Sequence, residues 1–181
     1  MRRCHGLIAL LVISLAVASC ATTMTVSSHI ERDLDFSEYR SFEWGPADAL
    51  PTGDPRLDRD PFFKDHVQGA VEKQLAARGI ELSTSGTPDL LIHYHANIRQ
   101  RIDINRIDRA YGYCSETNCP PNTMEYEVGT LVLDFIDART NRLIWRGWAQ
   151  KSVEDMLDDR DKAARTINEA VTRMLKRLLP S

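Results

Sequence analysis

A chain of 181 residues with 43% hydrophobic residues, 27% charged residues, 9 glycines and 8 prolines suits one compact domain, and it excludes the disordered, collagen-like and multi-span membrane classes. Its 23 basic and 26 acidic residues give a net charge of −3. That leaves no basic surplus to neutralise a phosphate backbone, so nucleic acid is not an expected partner.

Residues 1–19 read as a bacterial export signal. Arg2 and Arg3 supply the positive start, and the apolar run from Leu7 to Val17, broken only by Ser14, is too short to span about 30 Å of hydrocarbon comfortably. The run ends in Val17-Ala18-Ser19-Cys20, which resembles the lipobox of bacterial lipoproteins, with Cys20 as the acylated residue and the new N-terminus. Ala21, in place of the aspartate that favours retention at the inner membrane, directs the expectation to an outer-membrane anchor with the domain facing the periplasm. Cleavage removes two arginines and no acid, which leaves 21 basic against 26 acidic residues and a net charge of −5. On that balance the acyl chains, not headgroup attraction, hold the protein at the bilayer. Residues 20–24 form the lipidated tether, about five residues that reach at most roughly 17 Å, and residues 25–180 form a single domain.

In that domain Val26, Ser28 and Ile30 alternate with Ser27, His29 and Glu31, which predicts a first strand. Ser41-Phe42-Glu43-Trp44 predicts a second, with Asp35 to Arg40 as the turn between them. Four prolines, Gly53 and several aspartates make Gly45 to Pro61 a surface loop. A calcium site at Asp54, Asp58 and Asp60 is not expected, because the spacing lacks the alternating acids, central glycine and terminal glutamate of an EF-hand. Phe63, Val67, Ala70, Val71 and Leu75 recur at helical spacing between Pro61 and Arg78, a helix with one buried stripe. After a short strand at Ile80-Glu81-Leu82, Pro88 opens a long strand with Leu90, Ile92, Tyr94, Ala96 and Ile98 on one face. Leu91, His93, His95, Asn97 and Arg99 lie on the other.

Residues 105–122 lose the pattern and form an irregular excursion. Cys114 and Cys119 lie in it, five apart in an oxidising compartment; a local disulfide is expected, and the spacing is not that of a Cys-x-x-Cys redox catalyst. Two further strands follow. Leu131, Leu133 and Phe135 share a face of the first, and Leu143, Trp145 and Ala149 a face of the second, with the turn Asp137 to Asn141 joining them as an antiparallel hairpin. Ala164, Ile167, Val171, Met174, Leu175 and Leu178 give a last helix, entered through Asp158-Asp159 and ended by Pro180. The order of elements predicts an α/β fold of the α+β type: a two-layer sandwich with a mainly antiparallel sheet of about five strands and two helices on one face.

Three stretches carry a resemblance. Phe36-Ser37-Glu38-Tyr39-Arg40-Ser41-Phe42-Glu43-Trp44, Pro88-Asp89-Leu90-Leu91-Ile92-His93-Tyr94, and Gly129 to Ala138 continuing through Leu143-Ile144-Trp145-Arg146-Gly147-Trp148-Ala149 look like the small bacterial lipoproteins of domain-of-unknown-function family 4136. The resemblance implies a secreted, membrane-anchored domain with no established activity and no catalytic residue to carry over. The excursion around Cys114 and Cys119 is not part of the family's core.

No elbow, glycine-rich phosphate cradle or His-Glu-x-x-His helix is present, and neither an enzyme nor a cofactor is expected. His93 and His95 point to the same side of one strand and are the weak metal candidates, with Asp89 or Asp103 as the only neighbouring ligands, so no metal is expected. Val132, Ile144 and Trp148 are expected to form an apolar patch on the sheet face without helices, a docking surface for an envelope protein or a lipid unless the 105–122 excursion covers it. An accessory or interaction module of the cell envelope is thus the leading expectation. A lipid or hydrophobic-ligand binding protein and a metal-dependent enzyme at His93 and His95 are the alternatives.

Overall fold

The computed structural model describes residues 23–31, 34–45, 54–58, 60–102, 125–154, 156, 158–176 and 178. Strand β1 (Thr25–Ile30) leads through a single 3-10 turn (Phe36–Glu38) to β2 (Ser41–Trp44). A one-turn helix α1 (Pro55–Asp58) within the proline-rich loop precedes α2 (Pro61–Ala76) and the two-residue β3 (Glu81–Leu82). The long strands β4 (Leu90–Ile102), β5 (Glu125–Asp137) and β6 (Arg142–Ser152) follow, and α3 (Arg160–Leu175) closes the domain.

Local chemistry explains the boundaries. Asp60 caps α2 by accepting from the Phe62 amide, and Pro61 occupies the first helical position, where a missing N–H removes nothing. At the other end Gly79 takes a φ of 76°, which lets the Ile80 amide return to the Leu75 carbonyl at 3.1 Å. Asp159 caps α3 by accepting from the Lys162 amide, as its charge predicts. Pro180 lies outside the described residues.

The six strands form one open sheet in the order β1-β6-β5-β4-β2-β3. The three long strands and β1 pair antiparallel, while β2 pairs parallel with both β3 and β4, because α2 carries the chain across between them. α2 and α3 pack on each other and on one face of the sheet, so the two-layer α+β sandwich is the observed fold, with a sixth strand at the β3 edge. Val67, Val71 and Leu75 of α2 and Val171, Met174 and Leu175 of α3 are fully enclosed against Leu90, Ile92, Leu133 and Phe135. Each such side chain contributes about 1.5–3 kcal/mol through burial.

One strand departs from simple alternation. Phe135 pairs with Trp145 but Ile136 pairs with Leu143, so Ile144 is an extra residue on β6. This bulge turns both Ile144 (4% exposed) and Trp145 (0%) into the core and leaves Leu143, expected there, 43% exposed. The Trp145 ring packs at 4.8 Å from that of Phe135 and lies over Gly147, where any Cβ would fall inside the indole. The Trp-Arg-Gly sequence is therefore a packing unit: a large ring, and two residues on the hydrogen atom that makes room for it.

Candidate functional site on the helix-free face

The strand pairings bring the outward residues of β1, β6, β5 and β4 into rows across the uncovered face. In one row His29, Arg146, Asp134 and His93 lie side by side; in the next come Ser27, Trp148, Val132 and His95, then Thr25, Gln150, Thr130 and Asn97. Asp134 is the centre of the polar part. It is 5% exposed, and the Arg146 guanidinium donates to both of its oxygens from Nε and from a terminal nitrogen, each at 2.6 Å. This two-pronged geometry compensates the burial of the carboxylate.

The two histidines flank that pair. His95 Nε2 is 3.7 Å from Asp134 Oδ2, and its Nδ1 is enclosed with no hydrogen-bond partner among the described residues. Burial, with a smaller push from His95, holds the His93 imidazole below the usual histidine range against the opposing pull of Asp134. The ring lies on Gly45, where a Cβ would collide with it. Among the described residues no group of three His, Cys, Asp or Glu is placed to hold a metal ion. Asp89, a neighbour expected from the sequence, is turned away: its Oδ2 accepts from the Arg40 and Ser41 amides and the Ser41 hydroxyl. Asp103 lies outside the described residues.

The expected apolar patch is assembled only in part. Val132 and Trp148 are cross-strand neighbours on the helix-free face, both half-buried. Ile144 is not there; the β6 bulge places it in the core, so strict alternation along the strand misassigned it. The apolar residues of the face include Val132, Trp148 and Val128, with Leu91, Ile136 and Leu143 side by side beyond the Asp134 row. Cys20, Cys114 and Cys119 lie outside the described residues, as do the export signal and the 105–122 excursion.

The motifs that carry the family resemblance are structural. Asp89 ties the start of β4 to β2, and Asp137 at the end of β5 accepts from the Arg139 and Thr140 amides, the Thr140 hydroxyl and the Tyr39 hydroxyl. Burial raises the Asp137 carboxyl, but the Thr140, Tyr39 and Arg139 hydrogen bonds outweigh it and hold it below the usual range. Sequence reading passed over Asp134 and Arg146 as site residues. Their signal was the pairing of an acid in one hairpin strand with an arginine in the other, both on the polar face.

Between the layers, at the end where β1 begins, lies a small apolar hollow of about 60 Å³ lined by Met24, Phe63, Ile98, Leu131, Ile167 and Ala170 among others. It is far below the roughly 300–1,000 Å³ of small-molecule pockets. Among the described residues no helix is long and apolar enough to cross a membrane.

An open mixed sheet with two helices on one face, and a hairpin locked by Asp137, Tyr39 and Trp145, defines a small α+β sandwich class. The chain belongs to the family described as Domain of unknown function (DUF4136), whose model matches residues 26–178. Among solved structures it is similar to a PDZ domain protein from Parabacteroides distasonis ATCC 8503, with a TM-score of 0.54 and 13% identity over 89% of this chain and 38% of that one. The chain thus spans well under half of that protein, and the likeness is one of fold. The PelC dodecamer from Paraburkholderia phytofirmans, in two crystal forms, aligns with a TM-score of 0.47 and 9% identity over 84% of this chain and 95% or 96% of that one. No curated protein matches the sequence.

Proposed function

We propose that this chain is an outer-membrane lipoprotein, anchored through acyl chains on Cys20, whose domain faces the periplasm and serves as a non-enzymatic interaction module of the envelope. The observation that carries the reading is the position of the fold's first packed residue. Met24 is 4% exposed and Thr25 already pairs with Gln150, so only Ala21, Thr22 and Thr23 separate Cys20 from the body of the domain. Such a short tether holds the sheet at the bilayer surface, in keeping with a protein that acts beside the membrane. A helix-free face with half-buried Val132 and Trp148 beside the charged row of Asp134 and Arg146 offers the mix of apolar and polar groups found at protein interfaces.

The test is the mass of the N-terminal peptide together with membrane fractionation. A peptide starting at Cys20 and carrying acyl chains is expected in the outer-membrane fraction, and Cys20→Ser should abolish the acylation. An unmodified Cys20 would sink the anchoring. The interaction role is read by cross-linked affinity capture: Val132→Asn with Trp148→Gln should lower recovery of any stoichiometric partner at least about fivefold while the fold persists, a loss typical of interface aromatics. Undiminished recovery would remove this face from the account.

A further inference from the structure

At the end of the sheet where β1 begins, the helix-free face hollows into a cleft of about 260 Å³ lined by Asn97, Arg99, Arg101, Val128, Thr130 and Gln150. Its described lining contains two guanidinium groups and no carboxylate. Arg99 and Arg101, two apart on β4, project to the same side and are exposed. Glu127 on the neighbouring strand points to the opposite face, where Arg56 donates to it at 3.2 Å. Among the described residues neither Arg99 nor Arg101 meets an acidic side chain. Arg99 Nε donates to Asn97 Oδ1 at 3.3 Å, which steadies the guanidinium and leaves its terminal nitrogens and the Asn97 amide as donors. Gln150 donates to the Thr130 hydroxyl at 3.1 Å, so that hydroxyl keeps its own proton to donate.

We infer that this cleft binds phosphate, and that its ligand is the headgroup phosphate of a phospholipid in the membrane that holds Cys20. A planar guanidinium matches the oxygens of a phosphate in two-pronged fashion, and two of them beside neutral donors form a site for one anion. The position names the source. Gln150, in the cleft wall, pairs with Thr25, five residues from Cys20, and five residues span at most roughly 17 Å. The mature chain is acidic as a whole, but the described lining of this cleft carries only basic charge. The choice of a lipid source rests on the anchoring proposed above; the phosphate chemistry does not.

The experiment uses the full-length lipidated protein in an uncharged, phosphate-free detergent, titrated separately with dihexanoyl phosphatidylglycerol and with inorganic phosphate while the arginine Nε–H signals are followed by NMR. Saturable shifts of the Arg99 and Arg101 signals are expected with the lipid, at a Kd below that for inorganic phosphate. Arg99→Gln with Arg101→Gln should weaken lipid binding at least about tenfold, and Arg101→Lys, which keeps charge but loses the fork, about threefold. Both residues are exposed, so the variants should keep the wild-type amide spectrum away from the cleft. Tighter binding of inorganic phosphate than of the lipid would overturn the membrane source. The absence of a saturable shift with either would overturn the site. The mass of the N-terminal peptide, read on the same sample, reports failure of the anchoring separately from failure of the cleft.

Discussion

Asp137 is a single carboxylate on which four donors from two segments converge, and its loss would leave the Tyr39 hydroxyl and the Thr140 groups without an acceptor. Asp137→Ala should therefore lower stability by about 2–3 kcal/mol, read from urea denaturation. Its carboxyl is held below the ordinary range, as is that of Asp89 through the Arg40 amide and the Ser41 hydroxyl. A depressed folded value means that the stabilisation is present above the unfolded value of about 3.9 and is lost as pH falls through the folded one. Acid unfolding should thus be steep below about pH 4 in the wild type and flatter in Asp89→Asn and Asp137→Asn. Tyr39 behaves in the opposite sense: burial, then its hydrogen bond to Asp137, pushes the phenol up to about 12, so its contribution is lost only at strongly alkaline pH. His93 is a third case. Its imidazole is held neutral chiefly by burial, so the unfolded chain takes up the proton first and stability falls as pH drops below about 6.5. His93→Gln should remove that dependence from a plot of Tm against pH.

At the scale of elements, β6 decides how much the sequence can disclose. The two long helices and all the strands could be read from periodicity, caps and turn residues, since the buried stripe of α2 and the polar and apolar faces of β4 follow the periods of 3.6 and 2, whereas the single turn of α1 lies in a segment read as loop. The bulge could not be read, because an extra residue inside a run of Leu143, Ile144 and Trp145 leaves no mark in hydropathy; all three are apolar and any of them could turn inward. The site was legible to the same extent. His93, His95, Val132 and Trp148 lie on the face that alternation assigned to them, whereas Ile144 does not, and the Asp134–Arg146 pair depends on a strand register that the turn alone does not fix. The bulge has a direct test. Leu143→Lys should change stability by less than about 0.5 kcal/mol, as surface substitutions do, while Ile144→Lys should cost about 3 kcal/mol or more by burying an unpaired charge. A strand without the bulge gives the reverse order in denaturant melts. Gly147→Ala, forced against the Trp145 ring, should cost about 1–3 kcal/mol by the same measurement.

Over the whole molecule the two faces of the sheet differ in what they carry. One is sealed by α2 and α3 and holds the fold; the other carries Arg146, Asp134, the histidines, Trp148 and the basic cleft. Substitutions on the second face, outside the pair of buried Asp134 with Arg146, should therefore leave stability largely intact. Trp148→Gln is expected to shift Tm by no more than a few degrees, since the residue is half-buried and outside the central cluster. The arrangement of β1 has a temporal consequence as well. The first strand of the domain is an edge strand whose partners, from Trp145 to Gln150, arrive more than a hundred residues later. In a chain made from its N-terminus, that strand has no place to dock until β6 has been made, and contacts so remote in sequence form slowly. β1 therefore stays unpaired until β6 exists, and the sheet gains its first strand only after its last long one.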